Sequence, residues 1–136
     1  MGNGDLIELL GSVTAISFGL AILNFFVKRI NRMFISKLGA EQKPLADLYR
    51  KLMRLVVKYH KLVGTIAVVA VLLHFYIAYT ANNIRIDGII AGVMMTVIFL
   101  LGFYGAFINK NYKGIWLKIH RVIPFALALA IGIHVI

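Results

Sequence analysis

The sequence predicts an all-α fold: a transmembrane four-helix bundle with an additional inner-face amphipathic helix. Three observations carry this prediction. Of 136 residues, 61% are hydrophobic and only 15% are charged, far more apolar than a water-soluble domain. The apolar residues gather into four runs long enough to cross a hydrocarbon core of about 30 Å, which takes about 20 residues. The basic residues gather between those runs rather than inside them.

The first run spans about residues 6–27, with Glu8 near its edge. No positive segment precedes it, so it reads as a retained anchor rather than a cleaved signal peptide. Leu6 also spoils a myristoylation motif after Gly2. Residues 44–59 form the amphipathic segment. Pro44 suits the first turn of a helix, and Leu45, Leu48, Tyr49, Leu52, Leu55, Val56 and Tyr59 recur at helical spacing. Arg50, Lys51, Arg54 and Lys58 occupy much of the other side. An interfacial helix leading into the second span is expected, with a docking helix for a soluble partner as the alternative.

The second span covers about residues 60–79, the third 88–108 and the fourth 117–136. The uncharged part of the fourth, Val122 to Ile136, rises only about 22 Å. Lys118 and Arg121 must therefore snorkel to the headgroups, and His134 comes close to the outer surface. Together the spans make residues 1–136 a single membrane domain.

The formal net charge of +10 raises the question of nucleic acid. Placement answers it. Ten of the fifteen basic residues lie between Lys28 and Lys61, four lie between Lys110 and Arg121, and only Arg85 falls elsewhere. Basic clusters flanking apolar spans follow the positive-inside rule, so no nucleic-acid partner is expected. The rule places both termini and the loop 80–87 outside, and the second and fourth spans then run parallel, from inside to outside. Tyr76 and Tyr79 at one end, and Tyr112 and Trp116 at the other, fit aromatic belts. The expected location is a prokaryotic cytoplasmic membrane.

The chain holds four histidines in two equally spaced pairs, His60 and His74, then His120 and His134. A separation of 14 residues is about 21 Å of helix and just under four turns, so both members of a pair look out from nearly one face. They cannot share a metal. On parallel second and fourth spans, however, His60 comes level with His120 on the inner side and His74 level with His134 on the outer side. An ionisable or metal-binding side chain inside a span is costly and points to function.

Each level offers two nitrogens with no cysteine or nearby carboxylate, too few for closed structural zinc. A porphyrin supplies four equatorial nitrogens and leaves two axial positions, which suits one histidine from each helix. With zero cysteines, thiolate iron–sulfur clusters and covalent haem attachment are excluded, so two non-covalent b haems are the expected cofactors. Filling both axial positions leaves the iron no site for oxygen or substrate, and electron transfer becomes the expected task. The second ring nitrogen of each histidine needs an acceptor, most simply a carbonyl one turn earlier.

Gly88 and Gly102 on the third span are again 14 residues apart, with Gly92 and Gly105 near them and Gly11 and Gly19 on the first span. Such glycines provide either clearance for a macrocycle or ordinary close helix packing. A 60-residue offset aligns His60-Lys61 with His120-Arg121, His74 with His134, and Gly64 with Pro124, the pattern of a duplicated two-helix unit. Pro124 cannot donate to the carbonyl of His120 and is a candidate kink. Lys61, Arg121 and Lys118 are candidate partners for haem propionates at the inner level and Arg85 at the outer, although topology accounts for the first three as well.

These paired histidines on alternate spans resemble the di-haem core of membrane b-type cytochromes, including respiratory cytochrome b. The stretch Trp116-Leu117-Lys118-Ile119-His120-Arg121 followed by His134, and His60-Lys61-Leu62-Val63-Gly64 followed by His74, are similar to the ferric reductase and NADPH oxidase transmembrane domain. The resemblance implies haem ligation by His60 with His120 and by His74 with His134. Its members typically have six spans and a flavin module, and complete respiratory cytochrome b has further helices and quinone-site motifs; this chain carries none of these. A quinone, a flavoprotein or ferric iron is the kind of electron partner implied, and the chain can self-associate. The alternatives are a histidine-based proton or metal-ion transporter, disfavoured by the absence of other central ionisable groups, and a non-catalytic membrane assembly subunit.

Overall fold

The computed structural model describes all residues, Met1 to Ile136. Four helices account for nearly the whole chain: α1 (Asn3–Met33), α2 (Lys43–Thr80), α3 (Ile86–Phe107) and α4 (Ile115–Val135). Two short 3-10 turns, Ile35–Lys37 and Ala40–Gln42, join α1 to α2. All four helices are long and apolar enough to cross a membrane, and the chain is an integral membrane protein. Large apolar side chains such as Ile16, Leu72, Val93 and Leu129 point outward, where lipid rather than water solvates them.

Local chemistry sets the helix ends. Pro44 lies in the first turn of α2, where its missing N–H and fixed φ are harmless. Asn82, with φ 51°, provides the left-handed step after α2, and the Asn83 N–H returns to the Ala78 carbonyl at 2.9 Å. At the start of α3, the Asp87 carboxylate accepts the Gly88 N–H at 2.8 Å. Between α3 and α4, the Trp116 indole N–H donates to the Asn111 carbonyl at 3.1 Å. That indole packs on Gly105 so closely that a Cβ there would overlap its ring carbons Cη2 and Cζ3. α4 runs unbroken through Pro124.

The segment 44–59 is helical, as its spacing predicts, but it is not a separate element. No glycine or further proline lies between Pro44 and Gly64 to stop it, so it runs straight into the second span as one 38-residue helix. At about 57 Å, that helix is nearly twice as long as a hydrocarbon core of about 30 Å is thick. Its first half therefore extends past the apolar region beside the end of α1, and the Tyr49 hydroxyl ties the two by donating to the Val27 carbonyl at 2.8 Å.

α1 packs along α2 and α3 along α4, each pair antiparallel, and α2 also touches α3. α2 and α4 are diagonal, with no Cα pair within 8 Å. The four helices share one register. Thr14, Ala67, Met95 and Leu127 are all buried, and the last three form a layer with Val68 and Ala91, on which Phe18, Phe99 and Ile131 pack. Ala67 lies midway between His60 and His74, Leu127 midway between His120 and His134, and Met95 midway between Gly88 and Gly102. The tightest packing therefore sits between the two histidine levels, while the histidines themselves are half-buried.

Candidate functional site

The rings of His60 and His120 face each other across the diagonal with centroids 6.2 Å apart and planes at 88°. Those of His74 and His134 do the same at 6.1 Å and 86°. The parallel run of α2 and α4 and their common spacing produce both meetings.

Each ring is anchored through Nδ1. His60 donates to the Ala21 carbonyl at 3.1 Å, His74 to the Ile7 carbonyl at 2.9 Å, and His120 to the Ile98 carbonyl at 3.0 Å. His134 instead meets Asp87 Oδ1 at 3.1 Å. A carbonyl oxygen can only accept, so Nδ1 carries the proton in the first three and Nε2 keeps its lone pair. An ionised Asp87 makes the same demand of His134.

The carbonyls come from the neighbouring antiparallel helix, α1 for α2 and α3 for α4. They do not come from one turn earlier on the same helix, the simplest expectation from sequence. A ring aimed across the bundle turns its Nδ1 sideways toward the next helix, where a carbonyl's second lone pair accepts it. The acceptors Ile7 and Ala21 are themselves 14 residues apart, matching the histidines they hold.

For His74 and His120, glycine lets the ring reach its carbonyl. A Cβ on Gly102 would lie 3.1 Å from His120 Cε1, and one on Gly11 would lie 3.3 Å from His74 Cε1. Each glycine stands four residues after the carbonyl its histidine uses, on the same helix face. A Cβ on Gly88 would lie 2.7 Å from His134 Cε1. Gly88 and Gly102 thus make room for histidine rings, beyond the macrocycle clearance or plain helix packing considered from sequence. Gly64 and Gly19 meet nothing within 4 Å of an added Cβ, and Gly92 meets only Val71 at 4.0 Å.

The basic candidates divide. Arg85 pairs with Asp87 at 2.6 Å, so it is held by the same carboxylate that orients His134. Lys61 lies over the Phe107 ring with Nζ 5.7 Å from its centroid. Arg121 and Lys118 are exposed beside His120 on α4.

Chemically, each level presents two imidazole lone pairs from opposite helices. Two imidazoles binding one metal from opposite sides need centroids about 6 Å apart, from bonds of about 2.0 Å plus roughly 1 Å from each nitrogen to its ring centre. Both measured separations meet this. No cluster of three or more histidine, cysteine or carboxylate side chains is placed to hold a metal alone, so the donor sets fit a metal that brings its other ligands with it. No family model, no curated protein and no solved structure matches the chain.

Proposed function

We propose that the protein is a small membrane di-haem cytochrome b that carries electrons across the bilayer. In this reading His60 with His120, and His74 with His134, would each hold one of two non-covalent b haems. The observation that carries it is the pairing of four rings, each fixed by its Nδ1–H, at ligand-to-ligand separation on two levels. The levels are about 21 Å apart along the helices, which supports one in each leaflet of a core of about 30 Å. Bound haem supplies a one-electron iron couple. The chain's own residues orient the ligands, separate the two levels by the Ala67–Met95–Leu127 layer, and present a lipid-facing exterior.

Fourteen of the fifteen basic residues lie at the end of the bundle nearer His60 and His120. By the positive-inside rule that end faces the cytoplasm, with both termini outside in a prokaryotic cytoplasmic membrane. The electron partners are of the quinone, flavoprotein or ferric-iron class. This reading makes the chain an electron-transfer subunit, in line with the resemblance to the b-type cytochrome and ferric reductase membrane domains.

Single alanine variants of the four histidines test the pairing. His60→Ala and His120→Ala should give one shared redox and spectral signature, and His74→Ala and His134→Ala another, each set keeping the other haem. Four distinct signatures, or haem retained in all four, would refute the assignment.

A further inference from the structure

Three of the four histidines are held by neutral backbone carbonyls, and one is held by a carboxylate. The difference has a local origin. α3 begins at Ile86, so no helical carbonyl stands one turn ahead of Gly88 to receive His134. Asp87 takes that place. Its Oδ1 accepts from both His134 at 3.1 Å and the Gly88 N–H at 2.8 Å, while Oδ2 accepts from Arg85 at 2.6 Å. The carboxylate is therefore fixed on three sides, and its side chain is only 25% exposed.

We infer that Asp87 positions and electronically tunes the His134 ligand, with Arg85 as its counterweight, so that the two haem levels are chemically unequal by construction. The inference rests on the haem reading above. A carboxylate pulls more strongly on the Nδ1 proton than a carbonyl does, which makes Nε2 a better donor to a bound metal. A better donor favours ferric over ferrous iron at that level. Arg85 draws charge off the same carboxylate through Oδ2, so it moderates the effect. No carboxylate holds Nδ1 of His60, His74 or His120, whose partners are neutral carbonyls.

Redox titration of the full-length purified protein tests this, with midpoints assigned to levels by the His74→Ala variant. Asp87→Asn keeps an oxygen acceptor of the same shape while removing the charge. It should raise the ferrous-to-ferric ratio at the His74/His134 level about tenfold at fixed potential, about 59 mV for one electron, and leave the other level unmoved. Arg85→Gln should shift the same midpoint in the opposite direction, severalfold in ratio. A merely structural role predicts no such opposition of sign. If Asp87→Asn loses the haem, Arg85→Gln alone carries the sign test. Two normal haems with neither midpoint moved, or both variants shifting the same way, would overturn the inference and leave the haem reading intact. Absence of low-spin haem from the unaltered protein would overturn the haem reading itself.

Discussion

Replacing Gly88 by alanine is the sharpest steric test of how the histidine levels are built. The added methyl carbon would lie 2.7 Å from His134 Cε1, 3.2 Å from Nδ1 and 3.4 Å from Nε2. Carbon atoms rest at about 3.5–4.0 Å, so the ring must retreat by about 1 Å or α3 must move. Retreat carries Nδ1 off Asp87 and swings Nε2 away from the axis it shares with His74. Overpacking of this kind costs about 1–3 kcal/mol, and each 1.4 kcal/mol is about tenfold in affinity. Haem should therefore bind the His74/His134 level about 5- to 150-fold more weakly, while the His60/His120 level is unchanged. Gly132→Ala is the control, because an added Cβ there meets nothing within 4 Å. The assay is haem per chain after dilution and re-equilibration, with the reduced spectrum showing which level is lost. Gly88→Ala protein that keeps both haems as tightly as the parent would refute the reasoning.

Three further outcomes follow from the same geometry. Under the haem reading, ring planes at 88° and 86° would leave the iron d orbitals that mix with the ligands nearly equal in energy. Frozen oxidised protein should thus give strongly anisotropic low-spin electron paramagnetic resonance signals, and rhombic signals typical of parallel planes would contradict the ring geometry. Leu127, fully buried at 0% exposure, centres the layer between the levels. Leu127→Ala should lower stability in detergent by about 2 kcal/mol, the low end for such cavities, since lipid-like solvent also contacts the side chain in the unfolded state. An unchanged melting temperature would argue against a packed central layer. The chain has no cysteine, so Asn83→Cys and Lys113→Cys are clean reporters of orientation. A membrane-impermeant maleimide should label the first in intact cells and the second only after permeabilisation, and the reverse pattern would invert the topology.

Much of the fold was legible because lipid imposes a simple code. Four apolar runs became four helices, and the leucine spacing from Leu45 to Leu55 marked the extension of α2. Its continuity with the span is legible only as the lack of a glycine or further proline between Pro44 and Gly64, a fainter signal than a residue that starts or stops a helix. Charge placement predicted parallel second and fourth spans, and the rings of His60 and His120, and of His74 and His134, do stand opposite one another. The anchors were not legible. Backbone carbonyls such as Ile7, Ala21 and Ile98 carry no signature in a side chain, and which helix supplies them depends on tertiary packing. A partial signal was nonetheless present, because Gly11 and Gly102 follow two of those carbonyls by four residues. From sequence Asp87 is only the end of the loop 80–87, no carboxylate is expected near either histidine pair, and Arg85 is a candidate partner for outer haem propionates; Asp87 beside His134 and Arg85 corrects this. Their pairing with each other and with His134 follows from where α3 starts, and helix boundaries are the least certain part of a sequence reading.

The most direct measurement is the absorption spectrum of the purified full-length protein, oxidised and reduced, with haem counted per chain. The account predicts two low-spin b-type haems per chain, lost in pairs with their histidines. Protein expressed with ample haem that folds yet binds none, or that binds high-spin haem open to ligands, would contradict it.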